Sequence, residues 1–430
     1  MERLLLRRVR IVDVERGTIS APMDVFLAEG RIAGLGPALE IPSDTPERDF
    51  EGRAYVSIGW MDMHVHLREP GQEHKETIAT GCRAATFGGF TALACMPNTI
   101  PPLHTRDAIE FVYRRAAYEA VDVYPIGCVS KNREGRELAE LWDLAQAGAV
   151  AFSDDGAPIW HAGLMRRALE YARMLGRPII NHMEEPALSA DGVMHEGAVS
   201  TRLGLKGIPA EAETAMLARD LELAARTGGH LHVAHLSTAR GVELVRRAKA
   251  EGVPVTAEVC PHHIALTDEA VAERAYDPNT KMNPPLRTAQ DVAALKAGLV
   301  DGTIDVIATD HAPHAPEEKE VEFSAAPFGI IGLETAWGLI VRELIRPGVL
   351  SLVEALRKIT IAPRRILNLP IPRIAVAEPA CLTVFDIETT WTVEPRHIRS
   401  RSRNTPFIGQ SLVGRAWAIY NRGQWIEEHP

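Results

Sequence analysis

The sequence lacks the features that mark membrane proteins, secreted proteins and proteins with paired cysteines. It has no run of about 18 apolar residues, so no membrane-spanning helix is predicted. Its first residues, MERLLLRRVR, reach only three leucines before arginine intervenes, so no secretory signal is predicted. The five cysteines are scattered, odd in number and without a CxxC pair, as in proteins that keep buried thiols in a reducing compartment. We therefore expect a soluble cytoplasmic protein that does not engage a membrane.

An excess of basic residues is also missing. The chain carries 47 Lys and Arg against 57 Asp and Glu, a formal net charge of −10, and no basic block. This balance argues against nucleic acid as a partner. A small anionic substrate would need local cations, because the overall field opposes its approach.

Short apolar runs alternate along the chain with longer stretches of helical periodicity, and no short repeat has a fixed period. The five clearest helical stretches cover residues 106–119, 138–147, 164–175, 212–227 and 239–250. The eight apolar runs are VSIGWMDMHVH, FTALACMPN, VDVYPIGCVS, AVAFSDDG, RPIINHMEE, HLHVAHLST, VPVTAEVCPHH and IDVIATDHAPH. Eight such units predict an α/β fold, a parallel (β/α)8 TIM-like barrel. An open doubly wound sheet is the alternative, and the lack of a glycine-rich phosphate loop disfavours it.

The two ends of the chain are rich in strand patterns, such as RVRIVDV near the start and ACLTVFDIETTWTV near the end. Both ends flank the predicted barrel. We therefore predict that residues 1–54 and 369–430 together form a small β-sandwich domain, with the barrel at 55–368.

Histidines stand where several predicted strands end, which is where barrel enzymes build their active sites. His64 and His66 are two residues apart on one strand, so both imidazoles should face the same side. His182, His235 and Asp310 follow three further strands. Four histidines and an aspartate at one end of a barrel predict a zinc site.

The fourth strand ends in Asp154 and Asp155. A carboxylate there can bridge two metal ions, with one oxygen on each. Neighbouring residues project to opposite faces, so we expect one of the pair to be a ligand and the other to cap the following turn. The residues alone leave open which is which.

Asp310 is the best candidate for general acid/base work, because a carboxylate beside an activated water can take its proton and pass it on. The alternative is a pure ligand with no proton role. Arg68, two residues past His66, suits a substrate carboxylate, although a surface ion pair is the alternative. Asn98 and Asn283 fall just after predicted strand ends and can either bond an amide substrate or cap a turn.

Two further segments are of interest. Cys260, His262 and His263 look like a ligand cluster, but packing and hydrogen bonding are the favoured explanation. On the sixth strand, His232 lies an odd number of residues from His235, so we expect it to face the other way. Residues 311–334 form a long polar loop with Pro and Gly, of a kind that often acts as a lid.

Taken together, these residues resemble the amidohydrolase superfamily, and within it the bacterial class I dihydroorotases. The resemblance runs over essentially the whole chain. It rests on the strings DMHVHLREPGQEHKET, CMPNT, FSDDG, NHMEE, HEG followed by LGLKGIP, AHLST, CPHH, MNPPLR, ATDHAPH and PFGIIGLET. It implies reversible hydrolysis of dihydroorotate to N-carbamoyl-aspartate in pyrimidine biosynthesis, with a metal-activated water as nucleophile and Asp310 as general acid/base.

Carried over position by position, the resemblance implies a metal site with one or two Zn²⁺ ions. In this site Asp155 matches the bridging aspartate better than Asp154, judged by the number of residues between it and His182 along the sequence. The implied metal ligands are His64, His66, Asp155, His182, His235 and Asp310. The implied substrate-binding residues are His66, Arg68, Asn98, Asn283, His314, Phe328 and Gly329.

One departure separates this chain from related cyclic amidohydrolases. Hydantoinases, allantoinases and many dihydroorotases of the other class bridge their metals with a carboxylated lysine on the fourth strand, whereas GAVAFSDDG contains no lysine. The class I interpretation is therefore favoured over a hydantoinase or allantoinase. A catalytically silent subunit that scaffolds aspartate transcarbamoylase is the remaining alternative, and the intact ligand set argues against it. A homodimer and a complex with aspartate transcarbamoylase are the assemblies that the resemblance implies.

Overall fold

The computed structural model describes residues 3–427 and contains a closed barrel of eight parallel strands. Three strands form one hydrogen-bonded group and five form another. Parallel bridges between Gly127 and Phe152 and between Val65 and His311 join the two groups into a ring. In chain order the barrel strands are Trp60–Val65, Phe90–Cys95, Asp122–Pro125, Phe152–Ser153, Ile179–Asn181, Leu231–Val233, Val255–Val259 and Val306–Ile307.

Helices follow each barrel strand and cover the outside of the ring. Threonine side chains accept hydrogen bonds from the first turns of several of them, as Thr105, Thr238 and Thr288 do, which satisfies amide groups that the helix leaves unpaired. The outer helices that follow the first seven strands are Ile78–Gly88, Arg106–Arg115, Leu141–Ala147, Ala162–Met174, Glu211–Thr227, Ala239–Ala250 and Ala289–Val300. Two more outer helices follow the eighth strand, Ala336–Ile340 and Leu352–Ile359. The first of these two continues into a π-helical turn at Val341–Ile345. The five predicted helical stretches all coincide with these, with ends that differ by up to four residues.

Short elements occupy the loops between strands and helices. The short α-helices are Pro186–Ser189, Ala198–Leu203, Pro261–Ala265, Glu269–Glu273, Pro316–Lys319 and Ile361–Ile366. Turns of 3₁₀ helix lie at Lys131–Arg133, Pro278–Thr280 and Pro395–His397, and the strands Met194–His195 and Gly207–Ile208 pair with each other. The predicted lid therefore contains one turn of helix, at Pro316–Lys319.

Strands from the two ends of the chain share one nine-stranded sheet. Leu382 pairs with Ile58 and with Tyr420, so the end of the chain lies against its beginning. The strands of this sheet are Arg3–Asp13, Thr18–Ile19, Met23–Ala28, Arg31–Gly36, Glu47–Asp49, Tyr55–Ile58, Leu382–Thr392, Ser411–Asn421 and Gln424–Glu427. A strand-rich domain built from both ends is thus confirmed, while the exact boundaries at 54 and 368 stay a prediction.

Buried side chains fill the barrel, the layer between barrel and helices, and the end sheet. Met61 and Met63 belong to the cluster inside the ring. Trp60 links the barrel to the sheet, because the centroid of its ring lies 5.2 Å from that of Phe385, a residue of the sheet. The ring of Trp337, on the helix Ala336–Ile340, packs against it as well, with 4.6 Å between centroids. Within residues 3–427, none of the helices has the length and apolar character that crossing a bilayer requires.

Candidate active site

A cavity of about 220 Å³ opens at the carboxyl ends of the barrel strands. Eleven of the twelve predicted site residues line it, and the twelfth, His64, lies fully buried beneath. Gly156 and Ala312 complete the wall. The lining residues are His66, Arg68, Asn98, Asp155, Gly156, His182, His235, Asn283, Asp310, Ala312, His314, Phe328 and Gly329.

Two histidines and two carboxylates meet at one side of the cavity floor. Nε2 of His64 lies 3.3 Å from Oδ2 of Asp155 and 3.5 Å from Oδ1 of Asp310. Nε2 of His66 lies 3.5 Å and 2.9 Å from the same two oxygens. The two imidazoles therefore face the same point, as their spacing along the strand predicts.

The other oxygen of Asp155 faces a second group of donors. Its Oδ1 lies 3.5 Å from Nε2 of His235 and 3.9 Å from Nδ1 of His182, and these two nitrogens are 3.0 Å apart. Asp155 thus has one oxygen in each group, which is the arrangement of a carboxylate that bridges two metal ions.

The donor atoms fit divalent metal ions in both chemistry and spacing. Nitrogen and carboxylate ligands at about 2.0–2.2 Å from a tetrahedral zinc lie roughly 3.3 Å from one another, close to the separations between these atoms. Oδ1 of Asp155 is buried and has no hydrogen-bond partner among the described residues, as expected of an atom that is free to coordinate an ion.

Asp154 has a different role from its neighbour. Its Oδ1 accepts hydrogen bonds from the backbone amides of Val129 and Ser130, both at 3.0 Å, and its Oδ2 accepts one from the Ser130 hydroxyl. The structure therefore places Asp155 among the donors and Asp154 outside them. The expected cap is on the loop after the third strand, however, and not on the turn that follows Asp154.

Three of the site residues have a left-handed backbone conformation, which helps to set the direction of their side chains. The φ angles are 61° at Arg68, 31° at His235 and 49° at Asp310. Such conformations cost a non-glycine residue about 1–3 kcal/mol and persist only where the surroundings hold them. At His235 the φ angle breaks the strand alternation, so both His232 and His235 reach the barrel interior. The prediction that His232 faces the other way was wrong.

The carboxylates of the donor groups are held in the charged form. Burial alone would raise the pKa of Asp310, but the charge of His64 and the hydrogen bond with His66 outweigh it and lower the pKa to about 2. The same balance, with His64 and His235 opposing burial, brings the pKa of Asp155 well below its ordinary value. Both side chains are therefore negatively charged at neutral pH and suited to bind a cation.

Two carboxylates that contact the histidines of the donor groups were not predicted from the sequence. Oε1 of Glu258 lies 2.5 Å from Nδ1 of His64, and its Oε2 lies 3.1 Å from Nε2 of His232. Oε2 of Glu184 lies 2.6 Å from Nε2 of His182. Carboxylates in these positions fix the tautomer and orientation of a ligand histidine. The one signal for Glu258 is a charged residue inside the apolar run VPVTAEVC.

Arg68 is a buried cation without a carboxylate partner among the described residues. Only 7% of it is exposed, and its Nε donates to the carbonyl of Pro313 at 3.1 Å, which leaves the rest of the guanidinium toward the cavity. Burial lowers its pKa to about 10, so it remains charged at neutral pH. A surface ion pair is excluded, and the cavity has the local cation that an anionic substrate requires.

The two predicted asparagines both reach the cavity. Oδ1 of Asn98 lies 2.7 Å from Nδ1 of His66, so it orients that imidazole. Nδ2 of Asn283 donates to Oε2 of Glu184 at 2.7 Å. Asn283 does not follow the seventh strand directly, but comes to the cavity from the long loop beyond it.

The segment after the eighth strand forms the remaining wall. Nε2 of His314 lies 2.8 Å from the carbonyl oxygen of Phe328, and burial lowers the pKa of His314 to about 3, so the ring is neutral and Nε2–H donates to that oxygen. Gly329 has a φ of 111°, and a Cβ there would lie 2.8 Å from Cβ of Ala312. This position therefore requires glycine.

Cys260, His262 and His263 form a separate compact buried cluster whose possible ligand atoms all lie within 4.8 Å of one another. Burial raises the pKa of the Cys260 thiol well above its ordinary value, which opposes the thiolate that a metal needs. Nε2 of His263 lies 2.9 Å from the carbonyl oxygen of Pro284. Both observations agree with packing and hydrogen bonding.

Comparisons with known proteins agree on one family. A family model described as dihydro-orotase-like matches residues 53–241. A protein of Pelotomaculum thermopropionicum named dihydroorotase is 53% identical over 424 residues, which cover 99% of this chain and 98% of that protein. Another of Citrifermentans bemidjiense with the same name is 48% identical and covers 98% and 99%.

Among solved structures, the L-hydantoinase (dihydropyrimidinase) of Arthrobacter aurescens superposes with a TM-score of 0.86 at 24% identity, over 100% of this chain and 96% of that one. The D-hydantoinase (dihydropyrimidinase) of a Thermus species gives 0.79 at 25% identity, over 99% and 97%. These likenesses confirm the predicted barrel fold.

Proposed function

The chain belongs to the dihydroorotase family, and we propose that it catalyses the reversible hydrolysis of dihydroorotate to N-carbamoyl-aspartate in pyrimidine biosynthesis. It is a cyclic amide hydrolase. The observation that carries the choice of substrate is the unpaired, buried guanidinium of Arg68, in the same cavity as the two donor groups. An anionic ring with an amide bond satisfies both.

We propose that the donor groups hold one or two Zn²⁺ ions, with His64, His66 and Asp310 on one side, His182 and His235 on the other, and Asp155 between them. Mixed imidazole and carboxylate ligands suit zinc. Zinc bound there would polarise the ring carbonyl and lower the pKa of a water molecule toward about 7.

Asp310 is proposed as the general acid/base. Its Oδ1 faces the same point as Nε2 of His64 and of His66, so it lies where it can accept the proton of the attacking water. It then gives that proton to the ring nitrogen as the amide bond breaks. In ring closure the same proton moves back.

The substrate carboxylate is proposed to bind Arg68, with Asn98 and His314 beside it. A guanidinium can bind a carboxylate through two parallel hydrogen bonds, which fixes its orientation as well as its position. Asn283 is proposed to lie alongside these residues, Phe328 and Gly329 to contact the substrate through the loop backbone next to His314, and His66 to contact it from the floor.

The first experiment is an assay of the purified, zinc-loaded chain for dihydroorotate hydrolysis, with bound metal counted on the same sample. Activity with one or two zinc ions per chain is the expected result. Turnover of 5-substituted hydantoins without turnover of dihydroorotate would favour a hydantoinase instead. Bound metal without any activity would point to a missing partner or to another cyclic amide as the substrate.

The direction of the reaction gives a second test. N-carbamoyl-aspartate carries two carboxylates and dihydroorotate one, so ring closure takes up one proton. The equilibrium ratio of dihydroorotate to N-carbamoyl-aspartate should therefore rise about tenfold for each unit by which the pH falls, over the range where the carboxylates are ionised. A ratio that does not change with pH contradicts this reaction.

We further propose that the chain acts in the cytoplasm as a homodimer, with aspartate transcarbamoylase as a candidate partner. All five cysteines are free thiols, which fits a reducing compartment. Light scattering of the isolated chain tests the dimer. Assays with and without a transcarbamoylase test whether activity depends on that partner.

A further inference from the structure

A buried segment near the end of the chain, residues 398–407 (here the strap), lies against the loops at one side of the barrel mouth. It contains no helix or strand, yet several of its residues are almost completely inaccessible to water. Buried backbone without regular structure needs other hydrogen-bond partners. The strap finds them in the loops that follow the first and eighth barrel strands.

Two buried carboxylates fix the first half of the strap. Glu76 accepts hydrogen bonds from the Ser400 hydroxyl and, at 3.0 Å, from the amide of Arg401. Oε1 of Glu334 accepts from the amides of Arg399 and Ser400 at 3.1 Å and 2.9 Å. Glu76 follows the first barrel strand and Glu334 the eighth, and these strands are neighbours in the ring, so both carboxylates hold the strap at the same side of the cavity.

Asn404, in the second half of the strap, bonds to both ends of the loop that carries the proposed substrate contacts. Its Oδ1 accepts from the amide of His314 at 3.1 Å, and its Nδ2 donates to the carbonyls of Ala312 at 3.0 Å and Gly329 at 3.2 Å. The Asn404 carbonyl also accepts from the amide of Ile331 at 3.0 Å. Only 4% of Asn404 is exposed, so water cannot readily replace these bonds.

We infer that Asn404 is a positioning residue for substrate binding, through which the C-terminal segment completes the site. It sets the spacing between His314 on one side of the loop and Phe328 and Gly329 on the other, and it does not touch the cavity itself. The inference rests on the proposed function, because it takes those three residues as substrate contacts. It also gives the strand-rich domain a part in catalysis, since the strap connects two of its strands.

Asn421 is a matched control in the same C-terminal segment. It is also 4% exposed, and its Nδ2 donates to the carbonyl of Ala120 at 2.9 Å and to Asp122 at 3.0 Å. Asp122 begins the third barrel strand, so this contact lies at the end of the barrel away from the cavity. Loss of either asparagine side chain removes comparable hydrogen bonds.

The experiment compares N404A, N404D and N421A as full-length, zinc-loaded proteins. N404D keeps the shape and the acceptor for His314, but it turns an oxygen toward the carbonyls of Ala312 and Gly329. We expect all three variants to unfold at lower temperature than the wild type. Only the Asn404 variants should raise the KM for dihydroorotate, by about tenfold, with a smaller change in kcat and with the metal content unchanged.

Hydrogen exchange supplies a readout that does not depend on turnover. The amide of His314 should exchange faster in N404A than in N421A, because its acceptor is the side-chain oxygen of Asn404. Equal KM values and equal exchange in N404A and N421A would overturn the inference. A wild-type chain that fails to hydrolyse dihydroorotate would instead overturn the proposed function, while the exchange comparison would still test the role of Asn404 in the loop.

Discussion

Nδ1 of His64 lies 2.5 Å from Oε1 of Glu258, and both side chains are fully buried. The same oxygen accepts the backbone amide of His235 at 3.3 Å. A single carboxylate on the seventh strand therefore orients a donor on the first strand and fixes the backbone of a donor after the sixth. Burial would raise the pKa of Glu258, but the charges of His64 and His232 keep it well below its ordinary value.

This relationship predicts that E258Q binds metal more weakly. A glutamine cannot accept from both His64 and His232 with equal strength, so the imidazole of His64 loses its fixed tautomer. We expect metal affinity to fall about 10- to 100-fold, measured by competition with a chelator. E213Q is the control, because Glu213 is a buried carboxylate that bonds to Ser237 and Thr238, outside the donor groups. Equal affinity in both variants would refute the orienting role.

Replacement of the two neighbouring aspartates should have opposite effects. D155A removes the atoms shared by the two donor groups, so metal content and activity should fall. D154A should keep its metal but lose about 3 kcal/mol of unfolding free energy, because three donors from Val129 and Ser130 lose a buried charged acceptor. Metal counting and denaturant unfolding in chelator separate the two. The reverse pattern would assign the bridge to Asp154.

Replacement of Arg68 should act on substrate binding. Arg68→Lys keeps the positive charge but cannot form two parallel hydrogen bonds to a carboxylate. We expect the KM for dihydroorotate to rise about 10- to 100-fold with metal content unchanged. Arg166→Lys is the control, since Arg166 is exposed and pairs with Glu170 along one helix. If the KM were unchanged in Arg68→Lys, the substrate carboxylate would bind elsewhere.

The buried ammonium of Lys319 should make stability depend on pH. Burial and the nearby charge of Lys281 lower its pKa to about 7, while Asp277 and Glu318 oppose that shift only in part. Between pH 7 and about 10.4, the unfolded chain holds a proton that the folded chain releases, so the free energy of unfolding rises with pH. This contribution should disappear in K319M.

Denaturant unfolding at several pH values between 7 and 10 tests this prediction. The wild type should gain more stability over that range than K319M, with a difference in slope approaching about 1.4 kcal/mol per pH unit. The exposed Lys206 provides the control K206M, which should follow the wild type. Parallel curves for wild type and K319M would mean that Lys319 titrates alike in the folded and unfolded chains.

Much of the barrel was predictable because its signals are local. Alternating apolar runs and helical periodicity gave eight strand and helix units, and the structure contains all eight. The spacing of His64 and His66 predicted that both rings face one point, since alternate strand residues share a side. By contrast, His232 and His235 break this rule, because the φ angle of 31° at His235 lies outside the strand conformation.

The amino-acid sequence by itself determined the barrel, the types of donor at its mouth and the cation that the substrate needs. The choice between Asp154 and Asp155 depended on the loop at Val129, and the roles of Glu258 and Asn404 depended on strands and loops far away in the chain. Periodicity reports only on neighbours along one element. Hydrogen bonds across 194 residues, as between His64 and Glu258, exist only once the ring has closed. Tertiary structure therefore decided how the donors are held and which segments complete the cavity.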